Sequence, residues 1–244
     1  MRYVIALLLA VGALAIAWVG NFTNIDMMLA HQIYDPSGSF PMRNAWIAET
    51  FGHIYMKYLL TLLALGVIAA SAYDWWRPRA GWTREFRLRL RVLALSAILV
   101  PLVISLLKKI SYSHCPWDLA EFGGAEKYVR LFEAALPGVS AGHCMPAGHA
   151  SSALWLIALC VFWLPKRPRM AALVFGVTLA VGLVLAWLQQ LRGAHFLTHT
   201  LWSVWIACAI VSTVYALVMR AENLGARKSA LGIEPGAQVG ERPL

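Results

Sequence analysis

Charge is scarce in this chain, and acid is scarcer than base. Only 14% of the 244 residues are charged, 12 acidic and 21 basic, while 60% are hydrophobic and the mean hydropathy is +0.63. Soluble domains carry about 25% charged residues, so this composition excludes an ordinary water-soluble fold and places the chain in a bilayer. No internal repeat is visible, and the His-Glu-x-x-His pattern of helix-borne zinc hydrolases is missing.

Long apolar runs are what the sequence does have. A membrane span needs about 20 mostly apolar residues, and six windows qualify, at about 3–20, 54–73, 92–107, 150–164, 170–188 and 201–219. The expected fold is therefore all-α, a six-helix transmembrane bundle over residues 1–221, followed by a disordered cytoplasmic tail at 222–244. The first run, with Arg2 before it and Ala15, Ile16 and Ala17 near its end, reads as a retained helix, with a cleaved signal peptide as the alternative.

Basic residues orient the bundle, because Lys and Arg concentrate in short cytoplasmic loops. Arg77, Arg79, Arg84, Arg87, Arg89 and Arg91 lie between the second and third runs against Asp74 and Glu85 alone; Lys166, Arg167 and Arg169 lie between the fourth and fifth with no acid. Both loops are expected in the cytoplasm. Loops 21–53, 108–149 and 189–200 then face the periplasm or cell exterior, and they hold all seven histidines. The net charge of +9 follows from this topology, so the expected partners are the bilayer and a membrane lipid, not nucleic acid.

Of the four cysteines, Cys160 and Cys208 fall inside spans and read as small apolar core residues. Cys115 and Cys144 share the long outer loop, where an oxidising compartment permits a disulfide; two free thiols are the alternative.

Three outer segments carry the chemistry. Lys108 and Lys109 close the third span and lead to His114, Cys115, Pro116, Trp117 and Asp118. Pro146, Ala147, Gly148 and His149 open the fourth. Gln189, Gln190, Arg192, Gly193, His195 and His199 precede the sixth. Such a set suits a phosphate ester or anhydride, whose spreading negative charge cations neutralise. One imidazole attacks phosphorus and a second protonates the departing oxygen. His149 stands at a helix start, where free N–H groups draw anions, and Gly148 beside it lets backbone approach a phosphate. Glu49, His53 and Lys57, four residues apart, form one face of a helix. They are either a second bank of site residues or a ladder facing water.

These segments resemble the three motifs of the type-2 phosphatidic acid phosphatase superfamily of membrane lipid-phosphate phosphatases, KxxxxxxRP, PSGH and SRxxxxxHxxxD. Lys108 and Pro116 match the first, Pro146, Gly148 and His149 the second, and His195 the histidine of the third. Cys115, Ala147, Gln189 and His199 stand where arginine, serine, arginine and aspartate belong. The resemblance implies a phosphatase acting without cofactor or metal on a phosphorylated lipid, with His195 as nucleophile, His149 as acid and His199 as a weaker relay helped by Asp118 or Glu49. Substrate binding would fall to Lys108, Arg192, Gly148, Ala147, His114, Lys57, His53 and Glu49. Arg192, one helical turn after Gln189, would supply a missing cation, and protonated His114 would replace the other. His31 and His143 read as solvated or structural, and Phe40, Trp46 and Phe51 as interfacial aromatics. Two rival readings remain: zinc held by His195 and His199 with Glu49, His53 or His149, and a lipid-binding or transport protein without turnover.

Overall fold

The structure, a computed structural model, describes residues 2–131, 133 and 140–230. Among the described residues there are seven helices and no extended strand. They are α1 (Arg2–Phe22), α2 (Ile25–Ile33), α3 (Ile47–Trp76), α4 (Arg84–Lys109), α5 (Gly148–Trp163), α6 (Pro168–Leu191) and α7 (Leu197–Ala230).

The expectation of a six-helix bundle is corrected in two respects. Five helices, α1, α3, α4, α6 and α7, are long and apolar enough to cross a membrane, and α5 is shorter. The seventh helix, α2, lies in what sequence read as loop 21–53, and α3 begins at Ile47, seven residues before its expected start. α5 reaches further than its residue count suggests. Its first seven residues are α-helical and its next nine form a 3-10 helix, whose rise of about 2.0 Å per residue exceeds the α-helical 1.5 Å and brings the total to about 28 Å. The hydrocarbon layer is about 30 Å thick.

Polar contacts sort the two ends of the bundle. At one end Arg89 donates to the carbonyl of Phe162 at 2.8 Å, to that of Leu164, and to Glu85 at 2.6 Å. Lys166 meets Glu85 at 2.8 Å and Arg84 meets Glu222 at 2.5 Å. The arginine-rich loop after α3, the loop after α5 and the far part of α7 therefore share one end. α1 runs antiparallel to α7: Trp205 Nε1 donates to the Leu9 carbonyl at 2.7 Å, and Gly20 lies against Thr198. The last turns of α4 and α6 and the first turns of α5 and α7 gather opposite, with His149, His195 and His199 on or between them. α7 continues as helix to Ala230, so the expected tail begins as helix; residues 231–244 lie outside the described residues.

Val92, Val100 and Ile104 of α4, Leu154, Ile157, Ala158 and Val161 of α5, and Ala207 of α7 form the buried core. α1 and α3 instead turn Leu8, Leu14, Trp18, Leu62 and Leu65 outward, a surface of the kind lipid covers. A smaller apolar cluster of Ala30, Phe40, Leu119, Phe122 and Phe196 caps the histidine end. Phe40 is thus core, correcting the interfacial reading, whereas Trp46 and Phe51 are exposed and stack at 5.9 Å. Gly193, at φ +77°, is required here: a Cβ would stand 2.4 Å from Phe40 Cδ2.

Gly182 sets how closely α6 approaches α5, since a Cβ there would meet Leu154 Cδ2 at 2.8 Å. Gly182→Val is expected to lower stability in detergent by about 1–3 kcal/mol through overpacking. Adding Leu154→Ala should recover part of that loss, as read by thermal unfolding of the single and double variants.

Candidate active site

Helix ends deliver the three segments to one place. His149 opens α5, Lys108 closes α4, and His195 sits in the tight turn between α6 and α7. The ring centroids of His149 and His195 are 6.1 Å apart, and those of His195 and His199 are 5.8 Å apart. The Lys108 ammonium lies 3.8 Å from where a Cβ on Gly148 would stand, so this glycine leaves room beside a cation. His53, from α3, contacts His149 at a centroid distance of 3.9 Å.

His195 is buried, and its Nδ1 lies 3.4 Å from Cys144 Sγ. Cys144 is bonded to Cys115, which settles the disulfide alternative left open by the sequence. Burial, then the positive charge of His199, Lys108 and His149, hold the His195 imidazole well below its ordinary 6.5, against a smaller opposing effect of the Cys144 backbone. These effects favour the neutral ring over the imidazolium.

His199 does not hold His195 in the way a motif aspartate would. Its Nε2 pairs with Ser113 Oγ at 2.9 Å, and its Nδ1 is buried without a hydrogen-bond partner among the described residues. The helpers expected for that relay act elsewhere: Asp118 accepts from the Cys115 N–H at 3.4 Å, and Glu49 faces Arg192 at 3.7 Å. The donors of the zinc set expected from the sequence also form no compact group of three among the described residues. Among the described residues the one compact group of potential ligand atoms is Cys115, Cys144 and His195, and its two sulfurs are joined to each other.

Arg192 is buried at the end of α6 and held by two hydrogen bonds, with Nη2 3.7 Å from Glu49. Its Nη1 donates to Gln189 Oε1 at 3.0 Å and its Nε to the Arg43 carbonyl at 3.0 Å. Gln189, in the arginine position of the motif, thereby holds the arginine one turn later. Burial lowers the Arg192 pKa and Glu49 opposes that effect. Lys57, on the same face of α3 as Glu49 and His53, is exposed.

Two expected binding groups are committed elsewhere. The Ala147 N–H donates to the His199 carbonyl at 3.1 Å and its carbonyl accepts from Ser203 at 3.2 Å, so it ties α5 to α7 and has no free N–H for phosphate. His114 is buried, with Nε2 3.0 Å from the Ser140 carbonyl and 3.7 Å from Glu126. His31 packs on Phe122 at 4.8 Å, and His143 is exposed.

Sequence reasoning missed Asp26. This buried α2 carboxylate accepts from the Thr198 N–H at 3.0 Å and from the Thr198 hydroxyl, capping α7 from another helix beside His199. No local pattern signals it, because its partner is 172 residues away. Burial raises the Asp26 pKa despite those hydrogen bonds. Asp26→Ala should cost about 1–3 kcal/mol by leaving the buried Thr198 N–H unmatched. Asp26→Asn, which keeps one acceptor, should cost less. A raised carboxyl pKa means the folded state gives up stability as pH rises through the unfolded value, so the gap in unfolding temperature between wild type and Asp26→Asn should widen toward acid pH.

No curated protein and no solved structure matches this chain. A model of the PAP2 superfamily does match, over residues 89–222, the stretch from α4 through α7 that contains Lys108, His149, Arg192, His195 and His199. On that match, which spans more than half its length, the chain belongs to the PAP2 superfamily of type-2 phosphatidic acid phosphatases, a family with phosphatase-type activity on phosphorylated substrates.

Proposed function

We propose that the protein hydrolyses the phosphate or diphosphate headgroup of a membrane lipid through a phosphohistidine. The observation that carries this reading is the meeting of a buried His195 with His149 at 6.1 Å beside Lys108. Lys108, Arg192 and the first N–H groups of α5 at Gly148 and His149 capture the phosphate; helix geometry leaves those N–H groups without intrahelical acceptors. His195 attacks phosphorus in line, and His149 gives its proton to the departing oxygen. Water then attacks the phosphohistidine, and its proton returns to His149.

A lipid substrate is supported by an apolar cavity of about 400 Å³ between α4 and α7. Leu107, Tyr112, Trp202, Trp205 and Ile206 line it, and it reaches Ser113, the partner of His199. An acyl or isoprenoid chain would occupy that space while the headgroup lies at the bundle end. The basic loops at the opposite end support a site on the side of the membrane away from the cytoplasm, which is the periplasm if the membrane is an inner membrane of bacterial type.

Phosphate release from a panel of phosphorylated lipids in detergent tests the reading. Release is expected to resist EDTA, to fall roughly 10²–10⁴-fold in His149→Ala, and to vanish in His195→Ala. EDTA-sensitive release restored by zinc would replace the mechanism with a metal-dependent one. No release from any lipid would point to phosphotransfer or to binding alone.

The pH dependence has a definite sign. His195 attacks as the neutral ring, and its pKa lies well below 6.5, so activity should persist as pH falls through 6.5 and its acid limb should lie lower. A pH profile of kcat/KM on a short-chain substrate reads this directly.

A further inference from the structure

The first part of α3, Ile47–Tyr55, winds as a wide π-helix and lies outside residues 89–222 that the family model matches. Such turns recur at functional sites. Gly52 lets this one rest on α6, since a Cβ there would stand 3.0 Å from Leu188 Cδ1. The Ala48 carbonyl accepts from Gln189 at 3.2 Å, and Glu49 faces Arg192 at 3.7 Å. From the same turn the His53 ring lies 3.9 Å from the His149 ring, the planes tilted by 43°. His149 Nδ1 is buried with no hydrogen-bond partner among the described residues. The carboxylate or carbonyl that ordinarily fixes a catalytic imidazole is thus replaced by ring contact.

We propose that His53 is the positioning residue of His149: its ring fixes the orientation of the proton-donating imidazole, and the pair holds one proton between them. The proposal rests on the reading of His149 as the acid. Two imidazolium rings in contact repel strongly. The charged groups around them add to that repulsion: Lys57 on α3, Lys108 on α4 and Arg192 at the end of α6, with Glu49 the opposing charge and His195 an uncharged neighbour. As the bond from His195 to phosphorus forms and the ester P–O bond breaks, the shared proton leaves with the lipid alcohol. When water forms the new P–O bond and the N–P bond breaks, the proton of water restores the pair. One lipid phosphate and one water give one alcohol and one phosphate.

The test measures kcat and KM against pH for the full chain in detergent, on short-chain phosphatidate, with wild type, His53→Ala, His53→Phe and His195→Ala. His53→Ala is expected to lose roughly tenfold in kcat, with KM within about twofold, because a misoriented acid fails in the transition state. His53→Phe keeps a ring in contact and should return kcat to within about threefold of wild type. In both variants the basic limb of kcat should move to higher pH, because no second ring competes for the proton. Wild-type kcat in His53→Ala, a change confined to KM, or an unmoved basic limb in His53→Phe would overturn the proposal. Should His53→Ala not fold, the His53→Phe profile decides alone. Activity surviving in His195→Ala would instead overturn the phosphohistidine reading and leave the shift in the His53 profiles to judge the pair.

Discussion

The turn between α6 and α7 is held from every side by hydrogen bonds that cross between helices and loops, and the site depends on that restraint. Asp26 of α2 caps Thr198, the Trp117 N–H donates to the Gly193 carbonyl at 3.0 Å, and Ala147, just before α5, donates to the His199 carbonyl. Gln189 bonds to the Ala48 carbonyl of α3 and Arg192 to the Arg43 carbonyl. Each contact uses a polar group that hydrocarbon would leave costly and unmatched. This connection and the helix ends beside it therefore gather satisfied polar groups from α2, α3, the start of α5 and two loops around His195, the proposed nucleophile.

The altered motif letters make sense in this setting. Cys115 has lost the guanidinium of the first motif, but its disulfide to Cys144 brings that residue against Nδ1 of His195. Gln189 has lost the guanidinium of the third motif and instead holds Arg192 through its amide oxygen, while its amide nitrogen holds α3. His199 has lost the carboxylate and turns to Ser113. The first replacement thus supports the His195 imidazole with different chemistry, the second ties Arg192 to α3, and the third pairs with a serine hydroxyl.

How much was legible in the sequence follows from the range over which each signal acts. Apolar runs report local solvation, so the long helices and the two charge-sorted ends could be read from composition. The convergence of Lys108, His149 and His195 was legible through motif spacing. α2 was not, because nine residues with a buried Asp26 look like loop until Thr198 is known to need a cap. The wide turn of α3 was hidden because Gly52 has meaning only against Leu188. The paired roles of Ala147 and His114 were hidden as well, since a backbone N–H or an imidazole looks free until its acceptor, 52 residues onward in one case and 26 in the other, is placed beside it.

The 3-10 part of α5 has a mechanical consequence. With three residues per turn, side chains eclipse along a straight line, and Trp155, Ala158 and Val161 form such a line, all buried. α5 therefore acts as a keyed strut, its seam parallel to its axis, with Arg89 gripping one end at Phe162 and His149 mounted on the other. Deleting one residue from the strut would turn its seam by a third of a revolution and draw His149 about 2 Å along the axis. Depth and bearing of the imidazole are thus geared together, and the chain can change neither without changing the other.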